Sequence, residues 1–136
     1  MSNMDPKYSP LFTPWKIRDV EIKNRIVLCP MGGTSLFGWM ELTGNHFDKE
    51  AAKFFLEKAN NNVGLIITGI APIKSTYWGQ WLYENEKMFV ELKEFMKEIH
   101  KTGAKLFIQL TAGMGRSWAI TSPLVPLKLE KMNGIW

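Results

Sequence analysis

The stretch "GAKLFIQLTAGMGR", residues 103–116, decides the fold. It carries an apolar run at Leu106-Phe107-Ile108, places an amide at Gln109, then breaks into small residues and an arginine. A short apolar run that follows a glycine and leads into a glycine-rich loop reads as a strand. A glycine-rich turn after a strand invites a dinucleotide-binding reading. Here Gly113-x-Gly115 lacks the third glycine, with Trp118 in its place, and the fingerprint fails. The amide at the strand end has two readings: ordinary turn chemistry, or a strand that ends at a ligand read by Gln109.

Working back along the chain, the same plan occurs twice more. "IVLCPM", residues 26–31, is a continuous apolar run halted by Pro30 and then by Gly32-Gly33. "VGLIITG", residues 63–69, is a second such run, ending in Gly69. Apolar runs without alternation suit strands buried on both faces. Phe47, Ala51, Phe55 and Ala59, with Ala52, Leu56 and Val63 beside them, predict a helix over 47–62. Asn45 is its candidate N-cap, Asp48 falls in the first turn, and the asparagines at 60–62 end it. A second helix is predicted over 86–101 from the stripe Met88, Leu92, Phe95, Met96 and Ile99, with Gly103 as its stop. Ahead of all this, "LFTPWKIRDVEIKNR" reads as two short extended pieces turning at Arg18-Asp19.

The order is a hairpin followed by β-α-β-α-β, which implies a parallel sheet with right-handed crossovers. An open doubly wound sheet and part of a (β/α)8 barrel both satisfy it. Two features favour the barrel. Every strand ends in small or polar residues leading into a loop, as expected where loops at the C-terminal strand ends build a site. The hairpin would close the barrel's bottom. A complete barrel needs roughly 250 residues, and this chain has 136.

Composition excludes several classes. The chain is 46% hydrophobic and 22% charged, as expected of a globular domain. No apolar run is long enough for a membrane helix, and the polar start lacks the core of a signal peptide. The single cysteine, Cys29, excludes an internal disulfide framework, and no metal or iron–sulfur motif is present. Cytoplasm is the expected compartment. The net charge of +4 comes from lysines interleaved with glutamates, the pattern of solvated helix faces, so no nucleic-acid partner is expected.

Four pieces in order, "LFTPWKIRDVEIKNRIVLCPMG", "FFLEKANNNVGLIITG", the aromatic connection after it, and "GAKLFIQLTAGMGR", resemble the flavin-dependent Old Yellow Enzyme family. Within it, "KNR", "PMG", "GLIITG" and "QLTAG.GR" resemble the clostridial 2-enoate reductase and bile-acid enoate-oxidoreductase branch. The resemblance covers residues 10–120. It implies the N-terminal portion, hairpin plus first three β-α units, of a TIM (β/α)8 barrel, with FMN across the C-terminal strand ends. It implies that Pro30, Met31 and Gly32 lie against the flavin ring, that Gly69 leaves room for the ring, and that Gln109 hydrogen-bonds the pyrimidine edge. An amide offers both a donor and an acceptor, as that edge requires. Arg116 joins the cofactor-binding set, as an anion ligand or as the partner of a carboxylate.

The implied parent reaction is reduction of an activated C=C bond of an enoate or enone, with NAD(P)H-derived electrons and FMN. The parent's proton donor and flavin-phosphate loops have no counterpart in this chain. The same holds for the branch's four-cysteine iron–sulfur motif and its FAD or second nucleotide domain. Residues 121–136 read as a truncated tail, and the isolated chain as inactive. Where many members have "HxGR", this chain has "AGMGR". Where others have a flavin-tuning cysteine after Pro-Met, it has Gly32, and Cys29 before the proline reads as a small buried hydrophobe. His46 and His100 read as structural. Trp78, Trp81 and Trp118 would wall a substrate pocket, cover the barrel rim or form a subunit contact. The rival readings are a non-catalytic fragment that self-associates or needs a partner chain, and a small doubly wound nucleotide-binding module.

Overall fold

The computed structural model describes residues 5–31, 34–37, 46–73 and 81–111. A 3-10 turn at Pro6–Phe12 leads into an antiparallel hairpin of β1 (Trp15–Ile17) and β2 (Val20–Ile22). Arg18, in the left-handed region at φ 51°, lets two residues reverse the chain where the sequence predicts the turn.

Next come β3 (Val27–Leu28), α1 (Lys49–Asn60), β4 (Leu65–Pro72), α2 (Glu86–Lys101) and β5 (Lys105–Thr111). The last three strands form one parallel sheet in the order β3-β4-β5. That consecutive order fits an arc of a barrel and one half of a doubly wound sheet equally.

α1 is capped by Asp48, whose side chain accepts from the Ala51 amide at 2.9 Å. The sequence reading placed the cap three residues earlier, at Asn45, which lies outside the described residues. Both residue types cap well, and the apolar position Phe47, read as the first helical residue, instead precedes the cap and packs on Phe95 with ring centroids 5.8 Å apart. At the other end Asn62, at φ 68°, supplies the left-handed residue that stops the helix. α2 matches its predicted bounds, with Asn85 accepting from the Met88 amide at 3.2 Å and Gly103 at φ 76° closing it.

Both helices lie on one face of the sheet. Ala51, Ala52, Phe55 and Ala59 of α1 and Met88, Phe95 and Ile99 of α2 bury against Ile66 and Ala71, with Leu28 and Leu106 packed alongside. Fully burying a side chain such as Phe55 or Ile99 contributes about 2–3 kcal/mol. The strand register puts Leu28, Ile66 and Leu106 in one row, all facing the helices. The alternate row, Val27, Leu65 and Lys105, and above it Ile67 and Phe107, face the other way.

Three strand expectations need correction. β3 pairs over two residues only and is half-buried rather than buried on both faces, because among the described residues it is an edge strand of the sheet. Cys29 beyond it is exposed, not a buried hydrophobe. β4 continues past Gly69 to Pro72, because the register shifts between Ile67 and Ile70. That bulge returns Ala71 to the helix side, where it is buried.

Candidate functional site

The two ends of the parallel sheet are built differently. At the N-terminal strand ends, "KNR" forms a clasp. Lys23 Nζ donates to the Thr102 carbonyl at 2.8 Å, on the C-cap of α2. Burial lowers the Lys23 pKa below 10.5. Asn24, buried, donates through Nδ2 to the Asn62 carbonyl at 2.7 Å, and its Oδ1 accepts from the Ile26 amide at 3.0 Å. Trp15 Nε1 donates to the Asn24 carbonyl at 2.8 Å. Arg25 Nε donates to Thr13 Oγ1 at 3.0 Å. Lys23 and Asn24 thus tie the end of the hairpin to the two helix-to-strand turns, while Arg25 ties it back to the segment before β1, and the role of all three is structural.

At the C-terminal strand ends lie the residues singled out for chemistry. Pro30 and Met31 are exposed. The Met31 carbonyl accepts from Thr34 twice, from its hydroxyl at 2.8 Å and its amide at 3.4 Å. Thr34 in turn accepts through its carbonyl from the Gly69 amide at 3.0 Å. A Cβ on Gly69 would lie 2.5 Å from the Met31 carbonyl oxygen and 2.9 Å from the Thr34 carbonyl carbon. Close packing of the first loop against β4 is therefore reason enough for this glycine. The following pair, Leu36 and Phe37, is fully buried and anchors that loop in the core. Sequence reasoning missed Thr34, Leu36 and Phe37; an apolar pair inside a polar loop was the available signal.

Gln109 stands on β5 opposite Ile70, on the face away from the helices. It is exposed, and among the described residues no hydrogen bond engages its amide. Below it on that face lie Ile67 and Phe107, both half-buried, with Leu65 fully covered beneath them. Pro30, Met31, Gly69 and Gln109 thus gather at one end of one sheet. Gly32 and Arg116 lie outside the described residues, as do Trp78 and Trp118. His100 is exposed in the last turn of α2, where a cation favours the helix dipole. Among the described residues, no cluster of His, Cys, Asp or Glu is placed to hold a metal, and no helix is long and apolar enough to cross a membrane.

A groove of about 470 Å³ lies between α1 and α2, lined by the apolar Phe47, Ala52, Leu56, Val90 and Phe95 and by the charged Lys49, Lys53, Glu91 and Glu94. It belongs to the helix layer, and none of Pro30, Met31, Gly69 and Gln109 lines it.

An α/β chain with a parallel sheet and small or polar residues at its C-terminal strand ends defines a fold class shared by many proteins. Comparison with known proteins narrows it. Residues 10–121 match the NADH:flavin oxidoreductase / NADH oxidase family, and the chain belongs to that family. It is 36% identical over 120 residues to the cinnamate reductase of Clostridium sporogenes, covering 83% of this chain and 17% of that protein. It is 35% identical over 106 residues to an NADPH dehydrogenase of Bacillus velezensis, covering 74% and 29%. Among solved structures it overlays on the Old Yellow Enzyme from Pichia sp. AKU4542 with TM-score 0.56 and 24% identity, covering 74% of this chain and 26% of that one. A variant of NCR from Zymomonas mobilis gives TM-score 0.53 and 23% identity, over 78% and 33%. These overlays speak for the fold alone. The chain thus spans less than a third of the curated relatives named here.

Proposed function

We propose that this chain forms the first arc of a (β/α)8 barrel, hairpin plus the opening strands, and one side of an FMN bed. The parent activity is reduction of the activated C=C bond of an enoate or enone with electrons from NAD(P)H. The observation that carries the reading is the exposed Gln109 amide, unengaged by the described protein, standing above the half-buried Ile67 and Phe107 at a strand end. FMN, when bound, supplies two-electron transfer to the substrate alkene. The chain's own residues do the rest. Pro30 and Met31 line one side of the ring, held in place by Thr34 and the close approach to Gly69. Gln109 satisfies the pyrimidine edge with one donor and one acceptor. Gly32 and Arg116 complete the cofactor set.

An activated alkene is the chemistry named in the Clostridium relative, since a cinnamate is an α,β-unsaturated carboxylate bearing an aryl ring. The proton donor and the phosphate-binding loops belong to parts of a parent enzyme that this chain does not match.

The direct experiment is the visible absorbance spectrum of the purified chain with added FMN after removal of free flavin, together with its mass by light scattering. A retained flavin spectrum at fixed stoichiometry supports the reading. Complete loss of flavin from a folded chain contradicts it for the chain by itself.

A further inference from the structure

The groove between α1 and α2 carries opposite charges on its two walls. α1 contributes Lys49 and Lys53 and no acid, while α2 contributes Glu91 and Glu94 and no base. Lys49 Nζ lies 3.8 Å from Glu91 Oε1, a long contact that sets the first turn of α1 level with the second turn of α2. Glu94 is paired with Lys97 of its own helix at 2.7 Å. Among the described residues Lys53 has no carboxylate partner. Between the walls the floor is apolar, with Ala52 and Phe95 both buried, whereas Val90 on the α2 side is 64% exposed.

We propose that this groove is an interface between two copies of the chain, related by a two-fold axis running along it. Both helices connect parallel strands and lie on one face of the sheet, so they run in the same direction. A two-fold axis parallel to them lays α1 of each copy over α2 of the other, at the same level. The lysine wall of one copy then meets the glutamate wall of the other, and symmetry repeats the match. Val90 of each copy covers the apolar floor of the opposite groove. A two-fold axis across the helices would instead set lysines against lysines, so the charge pattern selects the first arrangement. A second copy is the occupant because the groove itself supplies both walls that complement it. The pairing uses the helix layer, leaves the face of Gln109 open and does not rest on the flavin reading.

The test is sedimentation equilibrium of the 136-residue chain over a concentration series at low ionic strength. The expected species is a dimer whose association weakens as salt is added. Lys49→Glu with Lys53→Glu, and separately Glu91→Lys with Glu94→Lys, each set like charges face to face and should weaken association by more than about tenfold. An equimolar mixture of the two variants should restore the dimer, because every wall then meets its opposite. Val90→Asp, at a largely exposed position, should weaken association about tenfold by burying a charge, and it reads the interface alone if a charge variant fails to fold. Far-UV circular dichroism checks each fold. A chain that stays monomeric at every concentration, as it would if the groove took a different protein, overturns the proposal. So does association unchanged in the folded variants, or a mixture of the two charge variants that remains monomeric.

Discussion

The two ends of the three-stranded sheet use the same kind of sequence, short polar motifs next to apolar runs, for opposite purposes. At the N-terminal ends every notable polar group is consumed. Lys23, Asn24 and Arg25 each make a bond of 3.0 Å or less to another part of the chain. At the C-terminal ends the backbone is pinned, through Thr34, Met31 and Gly69, while side chains stay available. Gln109 is exposed and unengaged among the described residues. Bonds that are all internal hold a fold; a positioned side chain left open to solvent is available to a ligand, which is the role proposed for Gln109. The difference separates a motif whose bonds are all internal from one whose proposed role is binding.

The floor should therefore break first. Asn24→Ala removes two side-chain bonds and strands the Asn62 carbonyl and Ile26 amide in a partly buried place. It should cost about 3 kcal/mol in urea unfolding; a loss below about 1 kcal/mol would show that water replaces the clasp. Gly64→Ala drives a Cβ into Asn24 Oδ1 and to 2.9 Å from its carbonyl oxygen. About 2 kcal/mol of stability should be lost, and combining it with Asn24→Ala should give less than the sum, since both strike one contact. Asp48→Ala, at the mouth end, removes only a helix cap and should cost about 1 kcal/mol, read as a lower melting temperature.

The smallest effect is that of pH on Lys23. Burial lowers its pKa in the folded chain below 10.5, so the unfolded chain holds the proton more tightly. The charged, buried form costs stability below the folded pKa, and that cost is relieved as pH rises from there toward 10.5. Lys23→Gln should flatten this part of the stability-against-pH curve; an unchanged slope would mean that Lys23 is fully hydrated.

Local signals gave the elements, and long-range contacts gave the rest. α2 was legible from end to end because its cap Asn85, its apolar stripe and its stop Gly103 all act within one helix. α1 was legible in its buried face, but not at its cap, where Asn45 and Asp48 are chemically alike. The extension of β4 past Gly69 was invisible, because a bulge exists only in the pairing with β5. Cys29 was misjudged for a related reason: apolar neighbours predict burial only when another layer covers them. "KNR" could be read as a family marker but not as a clasp, since its partners Asn62 and Thr102 lie 38 and 79 positions away. The position of Gln109 near the end of β5 was legible because an amide ending an apolar strand is locally out of place; its binding role is the proposal.

Gln109→Ala tests the division of labour most directly. The measurement is a calorimetric titration of the chain with FMN, with urea unfolding of the same sample as its control. The account predicts FMN affinity roughly tenfold weaker, from about 1–3 kcal/mol of lost polar pairing, with the unfolding midpoint unchanged because the side chain is exposed. Unaltered FMN affinity, or a loss of stability in place of affinity, would contradict it.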